Sequence, residues 1–230
     1  MWLAFLHASA VSTSKRVAIV VEDGFYLIDA MGPLQVMRNA EHKDYESVNI
    51  TSHSLCEAAP CVNESAAAIS VRILAPTLSP VKSSSGLAVV PDEPLNQSAR
   101  FDLVIIPAGA NSAAIRSFVK ANYDAGGAVM SVCTGASTLA KLGLLDGRDA
   151  TTNTLLLADY QKSFPKVRWI SLFDRTDRRF IVSEPPLRIV TTAGVTAGID
   201  GALHFVSAWL GEAAAEAIRE YNEWPLQLEG

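Results

Sequence analysis

The sequence has little cysteine, no excess of positive charge and no long apolar run. Only 3 of its 230 residues are cysteine, and none has the Cys-x-x-Cys spacing of a zinc site or redox motif. Asp and Glu (24) outnumber Lys and Arg (19), so we expect no nucleic-acid partner. No apolar run reaches the ~20 residues that cross a bilayer. These absences argue against a disulfide scaffold, a metal site, a nucleic-acid-binding surface and a membrane protein.

The N-terminus gives a weak signal for secretion. Residues 2–6 are apolar and a small-residue stretch follows, but no positive charge precedes them, as a signal peptide requires. We therefore expect residues 1–15 to be an extension and the protein to be cytoplasmic, with secretion as the alternative. Pairing of Cys56 with Cys61 would need an oxidising compartment and stays open.

Short apolar runs alternate with helical stretches along the rest of the chain. Such runs are typical of a mainly parallel sheet covered by helices on both faces. We expect one α/β domain over residues 16–230, interrupted by an irregular insert at 45–69. The predicted strands are 16–21, 71–76, 86–92 (a shorter edge or hairpin strand), 101–109, 128–132, 148–153 and 187–194. The predicted helices are 32–40, 111–127, 134–145, 154–164 and, as one or two helices, 196–221.

Cys133 lies where an apolar strand meets a helix, followed by small residues in "SVCTGAS". Sites of parallel α/β sheets form at the carboxyl ends of strands, and a tight turn there suits a nucleophile. The helix N-terminus should lower the pKa of the thiol. The N–H groups of Thr134 and of the Gly109 turn could hold a developing negative charge. A buried structural cysteine is the alternative.

Asp29 stands in the apolar stretch "FYLIDAMGP", just before a predicted helix. It could cap that helix, or it could be a site residue whose pKa is raised by its apolar neighbours. The residues alone leave both possibilities open.

The histidines argue against a Cys–His pair. None of them falls at the end of a predicted strand, where Cys133 lies, so each is expected to be structural or solvent-facing. The four are His7, His42, His53 and His204. The sequence also contains no P-loop and no dinucleotide-binding glycine motif.

Five segments together resemble the PfpI-like, class I glutamine-amidotransferase-like superfamily, and within it most of all the isonitrile hydratases. They are "YLIDAMGPLQVM", "PVKSSSGLAVVPD", "FDLVIIPAGA", "SVCTGASTLAKLGLLDGRDATTN" and "TTAGVTAGIDGALHFVSAWLG". The resemblance covers about residues 16–221. It implies a flavodoxin-like three-layer sandwich with a nucleophile elbow, a homodimer and no cofactor.

The resemblance also implies roles for single residues. Cys133 matches the nucleophile, Asp29 the acid of the hydratase "D-x-x-G-P" motif, and Thr134 the residue after the nucleophile. Residues expected to bind the substrate or its oxyanion are Ala108, Gly109, Gly135, Asn153 and Gly194.

Two positions depart from the family pattern. Asn153 stands where many relatives have histidine, which weakens a Cys–His mechanism. Ala108 stands where relatives often have glycine, so the turn near the oxyanion site could be narrower.

The predicted function is cysteine-dependent hydration of a small carbon electrophile, with an isonitrile as the best candidate. Glyoxalase- or deglycase-like chemistry on a reactive carbonyl is one alternative, and a redox-sensing protein without turnover is another. Some AraC-type regulators carry similar domains. Since the sequence ends soon after residue 221, we expect no helix-turn-helix domain and no regulator function.

Overall fold

The computed structural model describes residues 14–41, 68–173 and 178–225. Nearly all of the predicted extension (1–15) and insert (45–69) therefore lies outside the described residues. So do Cys56, Cys61 and three of the histidines, His7, His42 and His53. Within the described ranges, no helix combines the length and the apolar character that a membrane crossing requires.

The described residues form the following elements. The strands are β1 (Lys15–Val20), β2 (Ile69–Ala75), β3 (Val81–Lys82), β4 (Ala88–Val89), β5 (Glu93–Pro94), β6 (Leu103–Ile106), β7 (Ala128–Ser131), β8 (Asp149–Ala150), β9 (Arg168–Trp169), β10 (Phe180–Glu184) and β11 (Ile189–Thr192). The α-helices are α1 (Leu27–Glu41), α2 (Ala113–Asp124), α3 (Ala136–Lys141), α4 (Leu157–Ser163), α5 (Ala197–Leu210) and α6 (Glu212–Tyr221).

Within these ranges, the main sheet has seven strands in the order β10-β11-β7-β6-β1-β2-β5. All neighbouring strands are parallel except β10 and β11. The carboxyl ends of β6, β7 and β11 consequently meet at one edge of the sheet, where parallel α/β folds place their sites.

Alternate side chains of the strands enter two separate cores. Val17 and Ile19 of β1 pack in the core that includes residues of α1, α5 and α6. Ala18 and Val20 of the same strand pack in the other core, with residues of α2 and α3. This alternation produces a helix–sheet–helix sandwich, and the predicted flavodoxin-like α/β fold class is confirmed.

The smaller strands differ from the prediction. Residues 148–153 do not extend the main sheet, because only β8 forms there and it pairs with β9 in a separate two-stranded sheet. The threonines after β8 instead direct their polar groups to neighbouring strands and turns: the Thr151 N–H donates to Thr191 Oγ1 at 2.9 Å. Residues 86–92 contain only β4, in a short hairpin with β3. The antiparallel edge strand β10 was not predicted.

Two helix starts also differ. Helix α1 begins at Leu27, five residues before the predicted start, so Asp29 lies in its first turn and Pro33 lies inside it. Helix α2 begins at Ala113, two residues after the predicted start, and Ser112 caps it: the Ser112 side chain accepts a hydrogen bond from the Ile115 N–H. The closing segment 196–221, predicted as one or two helices, forms two, divided at Gly211, whose φ of 96° ends α5.

Gly135 allows the chain after β7 to pass very close to β6. A Cβ atom at this position would lie 2.1 Å from the Ile106 carbonyl oxygen. That oxygen belongs to strand backbone, which cannot rotate away as a side chain would. The missing side chain therefore determines how closely the turn that carries Cys133 approaches the centre of the sheet.

We expect Gly135→Ala to lower the free energy of unfolding by about 3 kcal/mol or more, because strand or turn must move to relieve this clash. Gly32→Ala is the matched control. A Cβ there would meet only the Ile199 side chain, at 3.0 Å, and alanine favours the helix, so we expect a change within about 1 kcal/mol. Urea denaturation of both variants measures the difference; equal stability would contradict the proposed close approach.

Candidate active site

Cys133 occupies the predicted strand-to-helix turn in a strained backbone conformation. Its φ is 54°, in the left-handed region that residues other than glycine seldom adopt. Two contacts hold it there. The Cys133 N–H donates to the Ala193 carbonyl at 3.0 Å, and the Cys133 carbonyl accepts from Thr152 Oγ1 at 2.9 Å. The surroundings thus impose the turn that directs the sulfur.

The sulfur faces three N–H donors. Asn153 Nδ2 lies 3.7 Å from Cys133 Sγ, and the backbone N–H groups of Thr134 and Val195 are near enough to lower the pKa of the thiol. The orientation of the Asn153 amide is fixed because its Oδ1 accepts from the Leu155 N–H at 3.0 Å. Since amide groups cannot take up a proton near neutral pH, these donors can stabilise negative charge on sulfur but cannot act as a base.

Asp29 is fully buried in the first turn of α1. One carboxyl oxygen, Oδ2, accepts a hydrogen bond from the Ala108 N–H at 3.0 Å. The other, Oδ1, has no hydrogen-bond partner among the described residues. Burial raises the pKa of Asp29 to about 7, although the Ala108 N–H acts in the opposite direction. Since its bond goes to Ala108, 79 residues away, Asp29 does not cap α1; its role in the site stays a prediction.

The charge of Asp29 acts on the Cys133 thiol. Burial is the main cause that raises the pKa of the Cys133 thiol, and the negative charge of Asp29 raises it further. The predicted lowering of this pKa is therefore wrong. Cys133 is only 4 % exposed, and the helical turn after it is short, so desolvation outweighs the helix dipole and the three N–H donors.

The small residues around the turn contribute backbone hydrogen bonds and leave room for close contacts. The Ala108 N–H is engaged by Asp29, so Ala108 positions the acid. Gly109 has a φ of 88°, and a Cβ there would lie 2.7 Å from the Gly24 carbonyl oxygen. Gly194 leaves room for the Asn153 amide, which a Cβ would approach to 3.1 Å. Their roles in binding substrate or oxyanion stay predictions.

Three residues at the site were missed by the sequence analysis. Thr152 holds the Cys133 carbonyl, as described above. The Tyr160 hydroxyl donates to the Thr134 carbonyl at 3.0 Å and so supports the turn from α4. Val195 presents its N–H to the sulfur from a φ of 38°. No sequence signal marks a valine for this conformation, but the polar run "ATTN" could have pointed to Thr152.

The described part of the chain offers neither a histidine partner nor a metal cluster at this site. His204 packs against the Phe180 ring, with centroids 4.6 Å apart, and burial lowers its pKa. No group of three or more His, Cys, Asp and Glu side chains in the described ranges is arranged to hold a metal ion.

The raised pKa of Asp29 predicts a pH-dependent loss of stability. In the unfolded chain the carboxyl ionises near its ordinary pKa of 3.8, but in the folded protein it keeps its proton up to about pH 7. Its contribution is complete below the unfolded pKa and is lost as pH rises through 7. We expect wild type to lose up to about 4 kcal/mol more than Asp29→Asn over this range.

Urea denaturation in a series of buffers spanning this range measures that difference. Glu41→Gln is the control, since Glu41 is another buried carboxyl of α1 and its variant retains Asp29. This control should show the wild-type loss of stability. Parallel pH curves for wild type and Asp29→Asn would show that Asp29 ionises freely in the folded protein.

Two curated relatives illustrate the similarity of the sequence. The chain is 32% identical over 146 residues to the HTH-type transcriptional regulator GbdR of Pseudomonas aeruginosa. This alignment covers 61% of this chain and 37% of that protein. The chain is 29% identical over 167 residues to isonitrile hydratase of Pseudomonas putida. This alignment covers 70% of this chain and 66% of that enzyme. The aligned region thus spans less than two thirds of each relative's length.

Solved structures share the fold at lower identity. A cysteine-to-alanine mutant of a DJ-1 superfamily protein from Salmonella typhimurium superposes with a TM-score of 0.68 at 22% identity, covering 92% of this chain and 99% of that chain. An AraC family transcriptional regulator from Pseudomonas putida gives a TM-score of 0.69 at 17% identity, covering 90% of this chain and 99% of that chain. At such identities the likeness concerns the fold.

The family assignment comes from the extent of a single match. The model of the DJ-1/PfpI family matches residues 15–208, a range that contains β1, the Asp29 turn, the Cys133 turn and Val195. With this match and the shared fold, the chain belongs to the DJ-1/PfpI family.

Proposed function

We propose that this protein is a lyase that hydrates a small carbon electrophile, and that an isonitrile, converted to an N-substituted formamide, is its substrate. The observation that carries the proposal is the buried Asp29 carboxyl, with one oxygen unpartnered among the described residues, electrostatically coupled to the Cys133 thiol. Similarity to an isonitrile hydratase supports the choice of substrate.

Asp29 and Cys133 together hold one proton over a pH range that is useful for catalysis. The pKa of Asp29 is about 7 and that of the Cys133 thiol is raised above its ordinary value of 9.0. Between these values the pair holds one proton. A catalytic acid or base works best when its pKa lies near the working pH, and Asp29 meets this condition.

In the first step, Cys133 transfers its proton to Asp29 and the sulfur attacks the terminal carbon of the isonitrile. A carbon–sulfur bond forms, and Asp29 delivers the proton to the same carbon. The product is a thioimidate, and Asp29 is left as a carboxylate. The N–H groups of Asn153, Thr134 and Val195 stabilise the sulfur while it carries negative charge.

In the second step, the Asp29 carboxylate removes a proton from water, and the resulting hydroxide adds to the thioimidate carbon. The proton passes to the imine nitrogen. The tetrahedral intermediate then expels sulfur, which regains a proton from the new hydroxyl group. The sum is addition of one water to the isonitrile. Covalent catalysis here divides one difficult addition into two easier ones.

A second candidate is binding of a small electrophile without turnover, as in a sensing domain. The 4 % exposure of Cys133 and the raised pKa of its thiol favour slow chemistry, and GbdR is named a transcriptional regulator. Under this proposal the same turn would hold a ligand or an oxidised sulfur. The homodimer implied by the family resemblance belongs equally to both proposals.

Turnover of an alkyl isonitrile, followed by formamide production, tests the enzyme proposal. We expect activity in wild type and a loss of at least about a hundredfold in Cys133→Ala and Asp29→Asn, since each removes a group that bonds or protonates the carbon. Glu41→Gln should retain activity. Activity that survives Cys133→Ala would remove the nucleophile from the mechanism; a stable adduct without turnover would favour the second candidate.

The pH profile of kcat/KM tests the shared proton. Below pH 7 both groups are protonated, and the pair lacks the base that takes the proton from sulfur. We therefore expect kcat/KM to rise with pH with an apparent pKa of about 7, the opposite direction to the stability change. Steady-state rates across the range measure it. A profile that falls through pH 7 would mean that neutral Asp29 is the active form in the free enzyme.

A further inference from the structure

The turn after β11 carries an unfavourable backbone conformation. Val195 has a φ of 38°, and for a β-branched residue this is a true outlier. Such conformations persist when surrounding contacts impose them, and they concentrate at functional sites. The Val195 N–H is near enough to the Cys133 sulfur to lower the pKa of the thiol, so its position matters to the thiol.

An arginine on one side of this turn connects it to a buried carboxylate. Arg179 Nη1 donates to Thr196 Oγ1 at 2.8 Å, and its Nε donates to Asp200 Oδ2 at 2.6 Å. The Asp200 side chain is 4 % exposed. Its second oxygen accepts from Trp224 Nε1 at 2.8 Å. Both carboxylate oxygens are therefore fixed, and the guanidinium is held in one orientation.

The main chain of the same arginine supports the other side of the sulfur. The Arg179 carbonyl accepts from the Ala193 N–H at 2.9 Å, and the Ala193 carbonyl accepts from the Cys133 N–H at 3.0 Å. Arg179 consequently holds the strained turn at Val195 through its side chain and the strained turn at Cys133 through its backbone.

We propose that Arg179, oriented by Asp200, is a positioning residue that holds Thr196 and thereby keeps the Val195 N–H on the Cys133 sulfur. Its effect is to set the reactivity of the thiol. The inference deepens the proposed function and rests on it for the role of Cys133 as nucleophile. The hydroxyl of Thr196 is the link between the arginine and the turn.

Thr196→Val tests this link because it removes the hydroxyl without changing charge or shape. We expect alkylation of Cys133 by iodoacetamide, read by peptide mass spectrometry, to slow about threefold at a fixed, mildly alkaline pH. Losing part of one hydrogen bond to the thiolate raises the pKa of the thiol. Thr196→Ser keeps the hydroxyl and should retain the wild-type rate.

Arg179→Lys separates position from charge. Lysine keeps the positive charge but cannot bond Thr196 and Asp200 together with the same geometry, so we expect a fall in the alkylation rate of about tenfold. An alkylation rate equal to that of wild type in Arg179→Lys would mean that the positive charge alone matters, and it would overturn the inference. So would a rate equal to wild type in Thr196→Val, or an equally slow rate in Thr196→Ser.

Thermal melting of each variant identifies a purely structural role. Such a role predicts a lower melting temperature with an unchanged apparent pKa of the thiol, taken from the pH dependence of alkylation, and this result would overturn the inference. Because alkylation needs no isonitrile, an absence of isonitrile turnover in wild type would count against the proposed function and leave the alkylation result standing.

Discussion

The left-handed backbone at Cys133 is the constraint on which the site depends. The chain leaves β7 at the centre of the sheet and must turn at once into a helix, with Gly135 pressed against the Ile106 carbonyl. This forces a φ of 54° on Cys133, and contacts from Ala193 and Thr152 hold it. Asn153, Thr134 and Val195 can meet the sulfur only because the turn presents it to them.

Burial raises the pKa of both Asp29 and the Cys133 thiol, but it helps the proposed role of the first group and opposes that of the second. It raises the pKa of Asp29 into the neutral range, where a carboxyl can both give and take a proton. The same burial raises the pKa of the Cys133 thiol and so opposes a preformed thiolate. The three N–H donors at the sulfur reduce this effect without reversing it. Under the proposed function, the thiol is therefore ionised by Asp29 during the reaction and is not a preformed thiolate.

Apolar runs and one strand-to-helix junction were enough to predict the sandwich and the position of Cys133. The residues near Asp29 also predicted its raised pKa. What the sequence did not show depends on tertiary contacts. The wrong prediction of a lowered thiol pKa rested on an exposed turn and the helix N-terminus, because the degree of burial is not visible in the sequence. Other examples are the strained φ of Val195, beside the contact of Arg179 with Thr196, and the start of α1 at Leu27.

Asn153 limits the chemistry that this site can perform. A histidine at position 153 could exchange a proton with the sulfur or with a leaving group, but the Asn153 amide can only donate a hydrogen bond to the sulfur. In the proposed mechanism Asp29 therefore makes the proton transfers that such a histidine would make. Hydrolysis of an amide needs proton transfers at the nucleophile and at a separate leaving nitrogen. In an isonitrile, sulfur and proton add to the same carbon, so a single carboxyl beside the thiol can serve the first step. The departure from the family pattern at Asn153 thus favours addition to one carbon over Cys–His hydrolysis.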